Sequence, residues 1–149
     1  MKKTLIATTL ALAVTAASAL EVGVQMGRDF SSPNRNYGGV TLGHAIGPTS
    51  LTLGYDRTAV TGNDQNRWSL VAGYDLMKIG PMTLTPMLGA AFLDNQTGSD
   101  GLAMTAGVGA SVPVTDRIRA VVDWTYQVGQ NRVNANNGNR ITAGVRYTF

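Results

Sequence analysis

From Leu20 onward the chain alternates between two kinds of residue. Leu20, Val22, Val24 and Met26 share one parity; Glu21, Gly23, Gln25 and Gly27 share the other. A period of two describes an extended strand whose two faces meet different surroundings. The polar stretch "SSPNRN" interrupts it with turn-forming residues. Val40, Leu42, His44 and Ile46 then oppose Gly39, Thr41, Gly43 and Ala45, and Gly47-Pro48 signals a tight turn. Leu51, Leu53 and Tyr55 oppose Thr52, Gly54 and Asp56, followed by the polar "TAVTGNDQN".

The second half repeats the plan. A run from Arg67 to Leu76 puts Trp68, Leu70, Ala72 and Tyr74 on one face. Gly80-Pro81 turns, and Leu84, Leu88, Ala90 and Phe92 follow on a strand that carries Pro86 in its interior. After "DNQTGSD" come Leu102, Met104, Ala106 and Val108, then a turn at Thr115-Asp116, then Ile118, Val122, Trp124 and Tyr126. "GQNRVNANNGN" leads into the closing run, in which Ile141, Ala143, Val145, Tyr147 and Phe149 alternate with Thr142, Gly144, Arg146 and Thr148. These are eight runs of about 7–12 residues, joined alternately by short turns and longer polar loops, with no helical periodicity after residue 19. The layout predicts an all-β fold: an eight-stranded antiparallel up-and-down barrel. Pro86 does not fit such a barrel well, because a closed sheet has no free edge and a proline inside a strand forfeits a ladder bond; a bulge is one way to accommodate it.

A soluble barrel shows the same alternation with the apolar face as its core. The glycines favour the opposite arrangement. Gly23, Gly27, Gly39, Gly43, Gly54, Gly73, Gly89, Gly107, Gly109 and Gly144 all lie on the polar face. Glycine weakens a strand, so a water-facing row of them has no purpose. Inside a narrow eight-stranded barrel, small residues leave room for long ones such as Arg119 and Arg146. On the apolar face, Tyr55, Trp68, Phe92, Trp124 and Tyr126 fall near the long-loop ends of their strands, while Tyr147 and Phe149 fall at the other end. Two aromatic belts around an aliphatic band match the two interfaces of a bilayer. The expected barrel is therefore transmembrane.

The first 19 residues differ from the rest. Lys2 and Lys3 precede an apolar run from Leu5 to Ala16, and Ala17-Ser18-Ala19 is a small-x-small cleavage pattern. This is the layout of an export signal, too short to span a bilayer as a mature helix. The domain reading is a signal peptide at 1–19 and a barrel domain at 20–149. Two of the 12 Lys and Arg residues belong to that signal; the rest nearly balance 9 Asp and Glu. No charge run points to nucleic acid. There is no cysteine, so thiol chemistry is absent.

The signal, the eight alternating strands and the ending Val145-Arg146-Tyr147-Thr148-Phe149 resemble the small OmpA/OmpX-type outer-membrane β-barrels. The resemblance spans residues 20–149 and is specific for architecture rather than activity. It implies a Gram-negative outer-membrane location after export across the inner membrane. It also implies a setting of outer-membrane lipids and lipopolysaccharide, and a monomer. The barrel-assembly machinery would read Val145, Tyr147 and Phe149 as an assembly signal.

The inward charges fall at two depths. Asp29, Asp56, Arg67 and Arg140 lie near the long loops; Glu21, Asp75, Arg119 and Arg146 lie near the short turns, with Asp123 between. Buried charges are costly unless paired. A salt-bridged plug is the expected reading, and Glu21, Asp75, Arg119 and Arg146 are expected to form one network. A gated conduit is the alternative. A lipid-modifying enzyme would need a histidine beside a serine or an acid. His44, the only histidine, falls on the lipid-facing parity and Ser50 on the other. One histidine and scattered acids do not make a metal site, and Gly107-x-Gly109 lacks the helix of a phosphate loop. No cofactor is expected. The function expected is a structural or surface role without enzymatic activity, with a small diffusion channel as second reading.

Overall fold

The computed structural model describes residues 19–30, 34–58, 65–95, 100–129 and 137–149. The proposed export signal, apart from Ala19, and the centres of the four long loops lie outside the described residues. The strands are β1 Leu20–Asp29, β2 Arg35–Ile46, β3 Thr49–Thr58, β4 Gln65–Tyr74, β5 Met77–Ile79, β6 Met82–Asn95, β7 Gly101–Pro113, β8 Ile118–Gly129 and β9 Gly138–Thr148. Every neighbouring pair is antiparallel, and β4 and β5 both pair with β6, so the two together make one stave. The first strand pairs with the last, with Val22 opposite Tyr147 and Val24 opposite Val145. The result is a closed barrel of eight staves with no free edge.

The strands are strongly staggered. Stepping from Leu20 to the residue opposite on each successive strand passes His44, Leu51, Ala72, Leu88, Ala106, Tyr126 and Asn139. The carbonyl of Asn139 accepts from Phe30 N, not from the region of Leu20. One circuit therefore climbs from residue 20 to residue 30 of β1. Such a shear requires steeply tilted strands and leaves an interior just wide enough for side chains.

Two of the short turns are the same device. Gly47 (φ 60°) precedes Pro48, and Gly80 (φ 59°) precedes Pro81. Glycine takes the left-handed position and proline the next, which suits the twist of a two-residue hairpin. The third turn is closed by Val114 N to Ile118 O at 2.8 Å, and the Thr115 hydroxyl accepts from Arg117 N and Ile118 N.

The stave expected to run unbroken to Leu76 is interrupted at Asp75–Leu76, and Pro86 is the reason. Gly73 faces Met87, but Met77 faces Leu84, so three residues on one strand oppose Thr85 and Pro86 on the other. This is a bulge. Asp75 N turns away to Pro48 O (2.7 Å), while Leu76 N reaches Leu84 O (3.0 Å). Backbone groups repeat direction every second residue, so the nitrogen of Pro86, like Leu84 O, faces the bulged stave. The bulge falls where no N–H is available.

The apolar face points out. Met26 is 70% exposed and Leu88 62%, and Val24, Val40, Val122 and Trp124 are also exposed. The interior holds the polar face, where Asp56 is 2% exposed and Gln127 1%. In water that arrangement loses the hydrophobic contribution to folding; in a hydrocarbon layer it is the stable one.

Candidate functional site: the charged lumen

The loop-side layer is built around Asp56. Arg67 Nη1 lies 2.9 Å from its Oδ2 and Arg140 Nη2 3.3 Å from the same oxygen, while Gln25 Nε2 donates to Oδ1 at 2.5 Å. Arg140 Nε also lies 3.8 Å from Asp29 Oδ2. The four residues that the sequence grouped at this depth, Asp29, Asp56, Arg67 and Arg140, are thus brought together. The arginines neutralise the buried carboxylate, and its short contacts satisfy both oxygens.

Three neighbours of this layer escaped the sequence reading. Tyr37 lies under Arg140, whose guanidinium carbon stands 4.0 Å from the ring centroid. Its hydroxyl bonds with Thr142 Oγ1 and donates to Ile141 O at 3.3 Å. Arg35 is buried beside it, and Leu93, fully buried with Ala103, adds an apolar seal. The turn formers of "SSPNRN" predict a loop at Arg35, and the predicted second strand begins only at Gly39, after Tyr37. Pairing with β1, Asn36 against Arg28 and Arg35 against Asp29, extends β2 into that stretch. The clue lay in parity, since Arg35 and Tyr37 continue the inward series of Gly39 and Thr41.

Glycines make the space. A Cβ on Gly27 would lie 2.6 Å from Tyr37 Cζ, and one on Gly39 would lie 2.9 Å from the Cα of Asp56. Neither position accepts a side chain without displacing Tyr37 or Asp56 and the neighbouring backbone.

The turn-side charges do not form the single network expected. Arg146 Nη2 lies 3.6 Å from Asp123 Oδ2. Glu21 accepts instead from Thr148 Oγ1 at 3.3 Å, and Asp75 from Thr85 Oγ1 at 2.8 Å. Arg119 is exposed. The register supplies the reason: Arg119 and Arg146 stand directly opposite each other on β8 and β9. Like charges in that position repel. Arg146 reaches Asp123, and Arg119 is exposed where it lines the lumen cavity together with Glu21, Asp75 and Arg146.

Between the two levels runs a cavity of about 100 Å³, reaching from the Gly47–Pro48 turn to Arg67 and Arg140. Ser50, Thr52, Ser69, Thr85 and Asp123 are among its walls. Asp29, Arg35, Tyr37 and Leu93 are buried and are not among its walls.

On the outer surface, Tyr55, Trp68 and Phe92 are opposite one another on β3, β4 and β6. Tyr55 and Trp68 are 4.6 Å apart, and the Tyr55 hydroxyl donates to Asn66 Oδ1 at 3.0 Å. Trp124 and Tyr126 face outward on β8. At the other end Tyr147 and Phe149 meet edge to face at 5.1 Å, and Arg117 Nη1 donates to the Tyr147 hydroxyl. Val145 faces outward on the same strand. His44 is outward and half-buried, while Ser50 lines the lumen, so the sheet separates them. Among the described residues no group of His, Asp and Glu is arranged to hold a metal.

Several solved structures share this architecture. Neisserial surface protein A is 17% identical, with a TM-score of 0.60 over 90% of this chain and 98% of its own. Ail, the attachment invasion locus protein of Yersinia pestis, is 13% identical, with a TM-score of 0.58 over 89% of this chain and 97% of its own. A de novo designed transmembrane β-barrel is 16% identical, with a TM-score of 0.59 over 91% of this chain and 98% of its own. No protein-family model and no curated protein matches the chain. At these identities the likeness is one of fold, and that fold is the small transmembrane β-barrel of outer-membrane proteins.

Proposed function

We propose that this chain is an integral outer-membrane protein with a structural or surface role, a lumen plugged by side chains and no enzymatic activity. The observation that carries the reading is the Asp56 carboxylate, buried and held by Arg67, Arg140 and Gln25 across the loop end of the lumen. Opening a water path there means separating charges already removed from water, which costs several kcal/mol on the order of a buried ion pair. The short turns face the periplasm and the long loops the outside. Outer-membrane lipids and lipopolysaccharide surround the barrel, the assembly machinery inserts it, and it acts as a monomer.

The blind cavity below the plug favours a second reading, a small diffusion channel whose gate is the Asp56 layer. Planar-bilayer recording separates the two. The plugged barrel gives no steady conductance in the wild type; a large steady conductance would make it a channel. A lipid-modifying enzyme has less support, because His44 and Ser50 stand on opposite faces of the sheet.

A further inference from the structure

Arg35 is a buried charge that the plug around Asp56 does not use. It stands on the inward parity of β2 and is 7% exposed. Its Nε and Nη1 are buried and make no hydrogen bond among the described residues. A guanidinium does not escape burial by giving up its proton, as a lysine can. Such a group needs a counter-charge.

The carboxylates nearby are already engaged. Asp29 stands directly opposite Arg35 on β2 and directly opposite Arg140 on β9, so one rung reads cation, carboxylate, cation. Strand spacing puts the Cα atoms of the two arginines about 10 Å apart. Asp29 Oδ2 lies 3.8 Å from Arg140 Nε. Both oxygens of Asp56 are taken, Oδ2 by Arg67 and Arg140 and Oδ1 by Gln25. Tyr37, two residues along β2 on the same face, has Arg140 against its ring and its hydroxyl on Thr142 and Ile141 O. Among the described residues, this layer sets three guanidinium groups (Arg35, Arg67 and Arg140) against two carboxylates (Asp29 and Asp56). Donors are in excess as well as charge: Arg67 Nε and Arg140 Nε are also buried without a hydrogen bond.

We infer that the loop end of the lumen binds a compact anion against Arg35, either a halide or a single oxyanion such as phosphate. Two separate excesses point to it, one of positive charge and one of buried N–H donors. Water answers only the second; an anion answers both. Guanidinium groups hold anions through charge-assisted hydrogen bonds, the stronger kind in a site removed from water. One bound anion balances the layer. The site goes beyond the structural role proposed above and does not depend on which side of the membrane the loops face.

The test is urea unfolding of the purified barrel in lipid vesicles, in sodium gluconate, with chloride or phosphate replacing that bulky anion at constant ionic strength. An anion that binds only the folded state lowers the unfolding equilibrium constant about tenfold once it is tenfold above its dissociation constant. Wild type should show a fall of that order with chloride or phosphate, and the more effective of the two identifies the site as one for halide or for oxyanion. Arg35→Met removes the excess cation and should abolish the difference between anions; the variant also subtracts any general salt effect. Heat-modifiable migration on a gel confirms that the variant is folded. If it is not, bromide located by its anomalous scattering in wild-type crystals serves instead, and it should lie against Arg35. Equal stability of the wild type in gluconate, chloride and phosphate overturns the site, because the excess charge is then met within the chain. An anion effect of the same size in folded Arg35→Met, or bromide absent from Arg35, overturns it as well.

Discussion

Asp56→Asn is the sharpest test of the plug. The substitution keeps the size of the side chain and removes its charge. In the wild type, Arg67 and Arg140 converge on one oxygen, at 2.9 and 3.3 Å. Arg140 has Asp29 as a second anion, but at 3.8 Å. After substitution two buried guanidinium groups lose their shared carboxylate, and only Arg140 keeps a second anion, Asp29, at 3.8 Å. Leaving a buried charge without its partner costs about 3–5 kcal/mol. Adding Arg67→Met removes the orphaned cation and should recover a large part of that loss, because a well-packed apolar replacement of a buried pair is often neutral. The assay is urea unfolding of the barrel in lipid vesicles, followed by the fluorescence of Trp68 and Trp124, both on the outer face. Planar-bilayer recording of the same proteins reports whether the lumen opens. A loss below about 1 kcal/mol for Asp56→Asn, within the range of an exposed pair, would refute the claim that this layer is dry and closed.

On the lipid face, Leu88→Arg should cost about 2–4 kcal/mol near mid-depth, whereas Thr105→Arg, on the lumen side, should act through crowding; equal tolerance of both in urea titrations counts against the inside–outside assignment. Pro86→Ala should change unfolding stability by less than about 1 kcal/mol, because the restored N–H faces a stave already bulged away and gains no ladder bond; a clear stabilisation would mean that the ladder closes there. A double-mutant cycle on Arg146 and Asp123 should show coupling of about 0.5–3 kcal/mol, while the cycle on Arg146 and Glu21 should be near additive; the reverse would restore the four-residue network expected from the sequence. Deleting Phe149 should lower the amount of heat-modifiable barrel in the outer membrane far more than Tyr147→Phe, and unchanged amounts would remove its role as an assembly signal.

What the sequence determined by itself is local. Alternation with a period of two assigns every strand residue to a face, and it placed Met26 and Leu88 outside and Asp56 and Arg140 inside without reference to any partner. Gly-Pro pairs set the two identical hairpins, because φ at a turn is a property of a residue and its neighbour. The missing N–H of Pro86 is visible in the sequence; the bulge, and the stave that bends to make it, belong to the tertiary structure. The tertiary structure decided which inward residues meet. Asp56 and Arg140 are 84 positions apart and touch only because the barrel closes with its particular stagger. Arg119 and Arg146 share a face and a depth, yet the register of β8 on β9 sets them directly opposite, where like charges repel, and Arg146 pairs with Asp123 while Arg119 stays exposed on the cavity wall. Parity is fixed by the pleat of one strand, whereas side-chain pairing depends on how far each strand slides along the next, and that slide is set by closure of the whole barrel.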